Sequence, residues 1–197
     1  AFHVSSNNAK LVITDTSAEG KGYIQGSNMG TKGGGTIYIG NTYATLVLFR
    51  GNIVGGTGKY GGNVYANPGK FIMNGGTVSG GNTTASGGNI ALENAASFIM
   101  NGGTVTGGKT DGKGGNVSLY GGTKTATFEM NGGSILNGTA VSGGNLRAGQ
   151  GGKIVIAGGT VDGGTATTDG SNIFTESTAT LEITGGTVAG GIHYGST

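Results

Sequence analysis

The chain has 197 residues, 48 of them glycine and none cysteine, with a formal net charge of +2 and only 10 % charged residues. The absence of cysteine excludes disulfides and thiolate metal sites, and no apolar run approaches the roughly 18–20 residues that span a membrane. The lysines are scattered along the chain with no basic stripe, which disfavours nucleic acid as a partner.

Residues 1–33 read as an irregular N-terminal capping coil. Leu11-Val12-Ile13 and Ile24 hold places that recur later in regular form, but the segment from Thr14 to Lys21 between them is long and polar. Atypical end repeats are expected of a stacked chain, whose open end exposes strand edges. The chain opens on Ala1-Phe2-His3 without a signal-peptide pattern and stops after Gly195-Ser196-Thr197. Both ends are expected to be processing or excision boundaries of a longer protein.

From residue 34 a unit repeats, with starts near 34, 61, 87, 114, 143 and 170 and spacings of 27, 26, 27, 29 and 27. Without a period, so much glycine would signal disorder; with one, it signals stacked units that cannot bury their apolar residues singly. Each unit has three apolar stations. The first follows a Gly-Gly-Asn element (Ile37, Val64, Ile90, Val117, Leu146, Ile173). The second is an alternating pair (Leu46/Leu48, Phe71/Met73, Phe98/Met100, Phe128/Met130, Ile154/Ile156, Leu181/Ile183). The third is a single residue after a glycine corner (Ile53, Val78, Val105, Ile135, Val161, Val188).

Period-two alternation marks short strands with one face inward. The expected fold is therefore all-β, a single-domain right-handed parallel β-helix (β-solenoid) of about seven coils, 26–29 residues per coil, with three strands per turn. The hand follows the general rule for parallel crossovers. Repeats occupy 34–191, and 192–197 is a C-terminal tail or the start of a following coil. Asn-Gly-Gly at 74–76, 101–103 and 131–133 supplies residues that tolerate positive φ at sharp corners. Asn63, Asn89, Asn116, Asn145 and Asn172 fall in one column, expected to be structural, each bonding along the axis to satisfy bent backbone.

The segments FIMNGGTVSGGNTTASGGNIALENAASFIMNGGTVTGG (71–108) and GGNVSLYGGTKTATFEMNGGSILNGTAVSGGN (114–145) resemble the repeats of adhesin-like right-handed β-helix surface proteins of gut and rumen anaerobic bacteria. The likeness covers essentially 34–191, and residues 9–26 resemble the lead-in to such repeats. It implies an extracellular location, secreted or anchored to the cell surface through regions outside this chain, and attachment or binding work.

Carbohydrate lyases and hydrolases on β-helices need paired carboxylates, or an acid cluster holding calcium beside a base. Here no two acids share a column on neighbouring coils: Glu129 and Glu182 are separated by Val155, and Asp162 stacks with Ser79, Thr106 and Leu136. His3 and His193, at opposite ends, read as surface residues. A Thr/Ser file (Thr77, Thr104, Ser134, Thr160, Thr187) resembles an ice-binding array, but the second file such arrays need is broken by Leu136, Asp162 and Ala189. The aromatic bias points elsewhere. Tyr38 and Tyr65 are expected to point outward on consecutive coils, with Tyr43 and Tyr60 in flanking loops and Arg50 and Lys59 as donors, suited to glycan stacking or protein contact. Val47, Ile72 and Ile99 form an outward apolar file, a secondary patch. The expected function is non-enzymatic: an adhesin-like module presenting a lateral surface to a host protein or glycan, with no cofactor. A ligand-free stalk, a polysaccharide lyase or glycoside hydrolase, and an ice-binding solenoid are the alternatives.

Overall fold

A computed structural model describes residues 1–195. All elements among them are strands, and every strand pairing is parallel. Four sheets run the length of a β-solenoid. The first stacks eight strands from Phe2–Val4 to Ile192–Tyr194, the second seven from Lys10–Ile13 to Thr180–Ile183, and the third seven from Tyr23–Gln25 to Thr187–Val188. These counts match a stack of about seven coils. Residues 196–197, the end of the expected C-terminal segment, lie outside the described residues.

The inward file of the second sheet shows how the sequence specifies register. Phe71 pairs with Phe98 and Phe98 with Phe128, while Met73, Met100 and Met130 follow in the adjacent inward file. The phenyl rings stack 4.7 and 4.9 Å apart, nearly parallel at 7° and 17°. All six side chains are fully buried, each contributing about 1.5–3 kcal/mol through burial. Slipping one coil by a single residue would turn its apolar pair outward, so one register is selected.

The fourth sheet departs from the three strands per turn that the periodicity predicts. Its five strands run from Thr57–Tyr60 to Thr165–Ala166. The inward-facing residues there are Gly58, Thr83, Thr110, Ala140 and Ala166. Because that file is glycine, alanine and threonine, it carries no hydrophobic alternation, and the strands are invisible to a pattern built on Ile, Leu and Val.

The corners also differ in detail from expectation. In each Asn-Gly-Gly corner the positive φ belongs to the second glycine (76° at Gly76, 88° at Gly103, 87° at Gly133), not to the asparagine. A Cβ at Gly103 would lie 2.6 Å from the Gly76 carbonyl oxygen of the preceding coil. Conformation and inter-coil clearance both demand glycine there. The corner asparagines instead bond to one another on the surface, Asn101 Nδ2 to Asn74 Oδ1 at 2.8 Å and Asn131 Nδ2 to Asn101 Oδ1 at 3.0 Å.

A second asparagine ladder runs through the interior where the third, fourth and first sheets meet. Asn63, Asn89, Asn116, Asn145 and Asn172 are at most 2 % exposed. Each Nδ2 donates to the Oδ1 of the next, at 2.5–2.8 Å. The other Nδ2 hydrogen goes to a carbonyl at the end of the third sheet (Ser79, Thr106, Leu136, Asp162). Each Oδ1 also accepts a glycine N–H (Gly56, Gly81, Gly108, Gly138, Gly164) from the turn into the fourth sheet. Thr36 Oγ1 donates to Asn63 Oδ1 at 3.2 Å and terminates the ladder. Every amide hydrogen and both lone-pair sites of the middle rungs are used, which a buried amide requires.

Asn116→Ala strands the Gly108 N–H, the Leu136 carbonyl and the facing groups of two asparagines. At about 1–3 kcal/mol per unsatisfied buried group, the loss should be several kcal/mol by chemical denaturation. The surface-ladder variant Asn101→Ala should cost under about 1 kcal/mol. Equal losses at the two sites would show that the interior rungs contribute no more than the exposed ones.

Candidate binding groove

The residue two places after each buried ladder asparagine points outward from the first sheet, because its neighbours on either side point in, and the end coils carry equivalent residues in the same file. Coil upon coil this gives one file: His3, Tyr38, Tyr65, Ala91, Ser118, Arg147, Phe174 and His193. The side chains are large at both ends and small in the middle, where Ala91 and Ser118 are only 1 % and 2 % exposed. On one side the file is bordered by the corner with the fourth sheet, where Tyr60, Ser86, Lys113 and Ser142 align. On the other side Glu93 and Tyr120 align at the strand ends. Two basins lie along this face and share Tyr60: one of about 320 Å³ among His3, Met29, Lys32, Tyr38, Tyr60 and Tyr65, and one of about 590 Å³ among Tyr60, Ser86, Glu93, Lys113, Tyr120 and Arg147. From His3 to Arg147 is five coil steps, about 24 Å at strand spacing.

The upstream basin is aromatic. The ring centroids of Tyr38 and Tyr65 are 5.5 Å apart, and those of Tyr60 and Tyr65 are 5.8 Å apart and nearly parallel at 28°. His3 meets Tyr38 edge-on at 5.5 Å, and Lys59 Nζ lies 5.1 Å from the Tyr60 ring centre. Gly33 is where the chain passes the Tyr65 ring: a Cβ there would sit 2.3 Å from a ring carbon. Tyr65 is fixed at its polar end. Its hydroxyl donates to Glu93 Oε2 at 2.6 Å and accepts from Asn67 Nδ2 at 2.7 Å. Burial, reinforced by the Glu93 carboxylate, pushes the Tyr65 phenol well above its ordinary pKa, so the ring is neutral. The Tyr38 hydroxyl donates to the Asn67 carbonyl at 3.2 Å.

The downstream basin is ionic. Glu176 Oε1 accepts from Arg147 Nη2 at 2.5 Å and from Lys113 Nζ at 3.2 Å, while its other oxygen takes the Gln150 N–H at 3.2 Å. Arg147 also donates from Nη1 to the Leu119 carbonyl at 3.2 Å, and its guanidinium carbon lies 5.8 Å from the Tyr120 ring centre. Burial raises the Glu176 pKa, but hydrogen bonds and charge from Arg147, then Lys113, outweigh it and leave the carboxyl below its ordinary value.

Of the residues singled out by sequence, Tyr38, Tyr65, Tyr60 and Lys59 converge. Tyr60 closes the strand Thr57–Tyr60 and does not sit in a loop. Tyr43 lies in the turn between the first and second sheets, 67 % exposed, and makes no ring pair with the cluster among the described residues. Arg50 is not a donor to the tyrosines. It sits at the corner of the second and third sheets, with Nη2 3.4 Å from the Ser17 carbonyl, in a separate basin with Asp15, Tyr23 and Asn52. Val47, Ile72 and Ile99 stack in file as expected, preceded by Val12 and followed by Glu129. Val47, however, is only 4 % exposed and offers little surface to a partner.

Sequence reasoning missed Glu93, Lys113, Tyr120, Arg147 and Glu176. Arg147 was legible as the residue two past Asn145. The others sit at strand ends or corners, where repeat spacing does not define direction. His3 and His193 belong to the same outward file: His193 stacks on Phe174 at 5.3 Å, with Nδ1 3.5 Å from Asp169. No group of three or more His, Asp or Glu is placed to hold a metal among the described residues. The chain matches no protein-family profile, no curated protein and no solved structure.

The lowered Glu176 pKa carries a pH signature. A depressed carboxylate stabilises the fold above its unfolded pKa, and that contribution is lost as pH falls through the folded value. The Tm difference between the native chain and Glu176→Gln should therefore be full above the ordinary glutamate range and shrink below it. A difference that stays constant with pH would show that Glu176 is not held by the two cations.

Proposed function

We propose that the chain is a non-enzymatic, adhesin-like binding module of a secreted or cell-surface protein, and that it lays a glycan chain along the lateral groove of the first sheet. The observation that carries this is the placement of Tyr38, Tyr65 and Tyr60 at the head of a groove that continues over small residues, Ala91 and Ser118, for two coils. Tyrosine rings offer a sugar an apolar face and, at the edge, a hydroxyl. A groove set in a repetitive sheet is preorganised, so little ordering entropy opposes binding. Its axial direction suits an extended polymer better than a compact ligand.

A binding role is favoured over turnover by the state of Glu93. Its Oε2 already accepts from Tyr65 and from Asn67 Nδ2 at 3.2 Å, and the other carboxylate beside the basin, Glu176, is ion-paired to Arg147 and Lys113. That is a poor arrangement for an acid–base pair.

Titration calorimetry against a panel of linear oligosaccharides tests the proposal. At least one should bind, and Tyr38→Ala combined with Tyr60→Ala should weaken it by about tenfold or more, whereas Tyr43→Ala should leave it unchanged. No reducing or unsaturated ends should accumulate. A silent panel would favour a stalk, product release would establish a lyase or hydrolase, and binding only to a host-protein extract would move the ligand class from glycan to protein.

A further inference from the structure

The downstream half of the groove is not built like the upstream half, and the difference speaks to ligand charge. Arg147 lies in the floor file with its side chain 11 % exposed, and Lys113 stands on the rim at 42 %. Both direct a donor to one oxygen of Glu176. One carboxylate is thus shared between two cations. Arg147 Nε, buried beside it, has no hydrogen-bond partner, and the Lys113 ammonium has three hydrogens of which one is used in this way. Glu93, at the other end of the same basin, presents only acceptors. The basin is therefore polarised along the axis, acceptor-rich near Tyr65 and donor-rich near Phe174.

We infer that this segment selects an acidic glycan, taking a sugar carboxylate at Lys113 and Arg147 while neutral hydroxyls of the preceding sugar meet Glu93. The inference rests on the glycan reading of the groove and adds the charge class of the ligand. Arg147 supplies planar N–H geometry suited to a carboxylate, and Lys113 supplies mobile charge at the rim. Glu176 acts as a resident anion that keeps both cations in place when the groove is empty and competes with the ligand when it is full. Tyr120, whose ring centre lies 5.8 Å from the guanidinium carbon, adds a cation–π contact that helps hold the arginine in place.

The test compares β-1,4-linked glucuronic acid oligomers with glucose oligomers of the same linkage and length, which differ only in the carboxylate. At low ionic strength the acidic chain should bind roughly three- to tenfold tighter, and added NaCl should erode the difference. Lys113→Gln should bring the acidic-to-neutral ratio close to one. Glu176→Gln keeps an acceptor for Arg147 while removing the competing charge, and should widen the ratio. Lys21→Gln, in the exposed segment between the second and third sheets, should not alter it. Equal affinity for the two chains would overturn the inference and leave the glycan groove standing, whereas binding of neither would overturn the inference, and with the wider panel also silent it would overturn the glycan reading as well. A sulfated glucose oligomer that binds tighter than the glucuronic acid chain would overturn the carboxylate assignment.

Discussion

The solenoid depends on register between coils, and the buried asparagine ladder is the interaction that fixes it most tightly. Strand ladders alone would permit a coil to slip along its strand direction in any one sheet. A rung such as Asn116 forbids it, because it ties the end of the third sheet, the start of the fourth and the asparagines above and below into one node. A slipped coil would leave several buried polar groups unpaired at once, at a cost far above that of a lost surface contact. The stacked phenylalanines and methionines set spacing and supply burial, but apolar contact is forgiving of small shifts where amide geometry is not.

Fixed register is also what creates the groove. Outward residues of the first sheet form a file only because each coil repeats the same phase, so Tyr38 falls on Tyr65 and Arg147 on Phe174. The corner with the fourth sheet raises Tyr60, Ser86 and Lys113 beside that file. A depression results wherever the floor residue is small, as at Ala91 and Ser118. The face is thus graded along the axis by ordinary substitutions at one repeat position, with no change to the scaffold.

The grading runs from aromatic to ionic. Tyr65 is clamped by Glu93 and Asn67 and serves as rigid surface, whereas Lys113 and Arg147 are clamped through a single carboxylate and retain donor capacity. Rigid aromatic surface at one end and surplus donors at the other give the groove a direction, which a uniform stalk would not need.

The sequence by itself determined the repeat, the parallel all-β stacking, the inward files and the alignment of Tyr38 with Tyr65, because a side-chain period of two and a repeat near 27 residues leave little choice of which atoms face inward. It also placed the asparagine column. The fourth sheet stayed hidden because its inward positions are glycine, alanine and threonine. Only the tertiary structure decided that Arg50 belongs to a different corner from the tyrosines, and that Glu93, Lys113, Arg147 and Glu176, drawn from three different coils, meet on one face. Side-chain direction at corners and strand ends is set by how neighbouring coils pack, and no local periodicity encodes it.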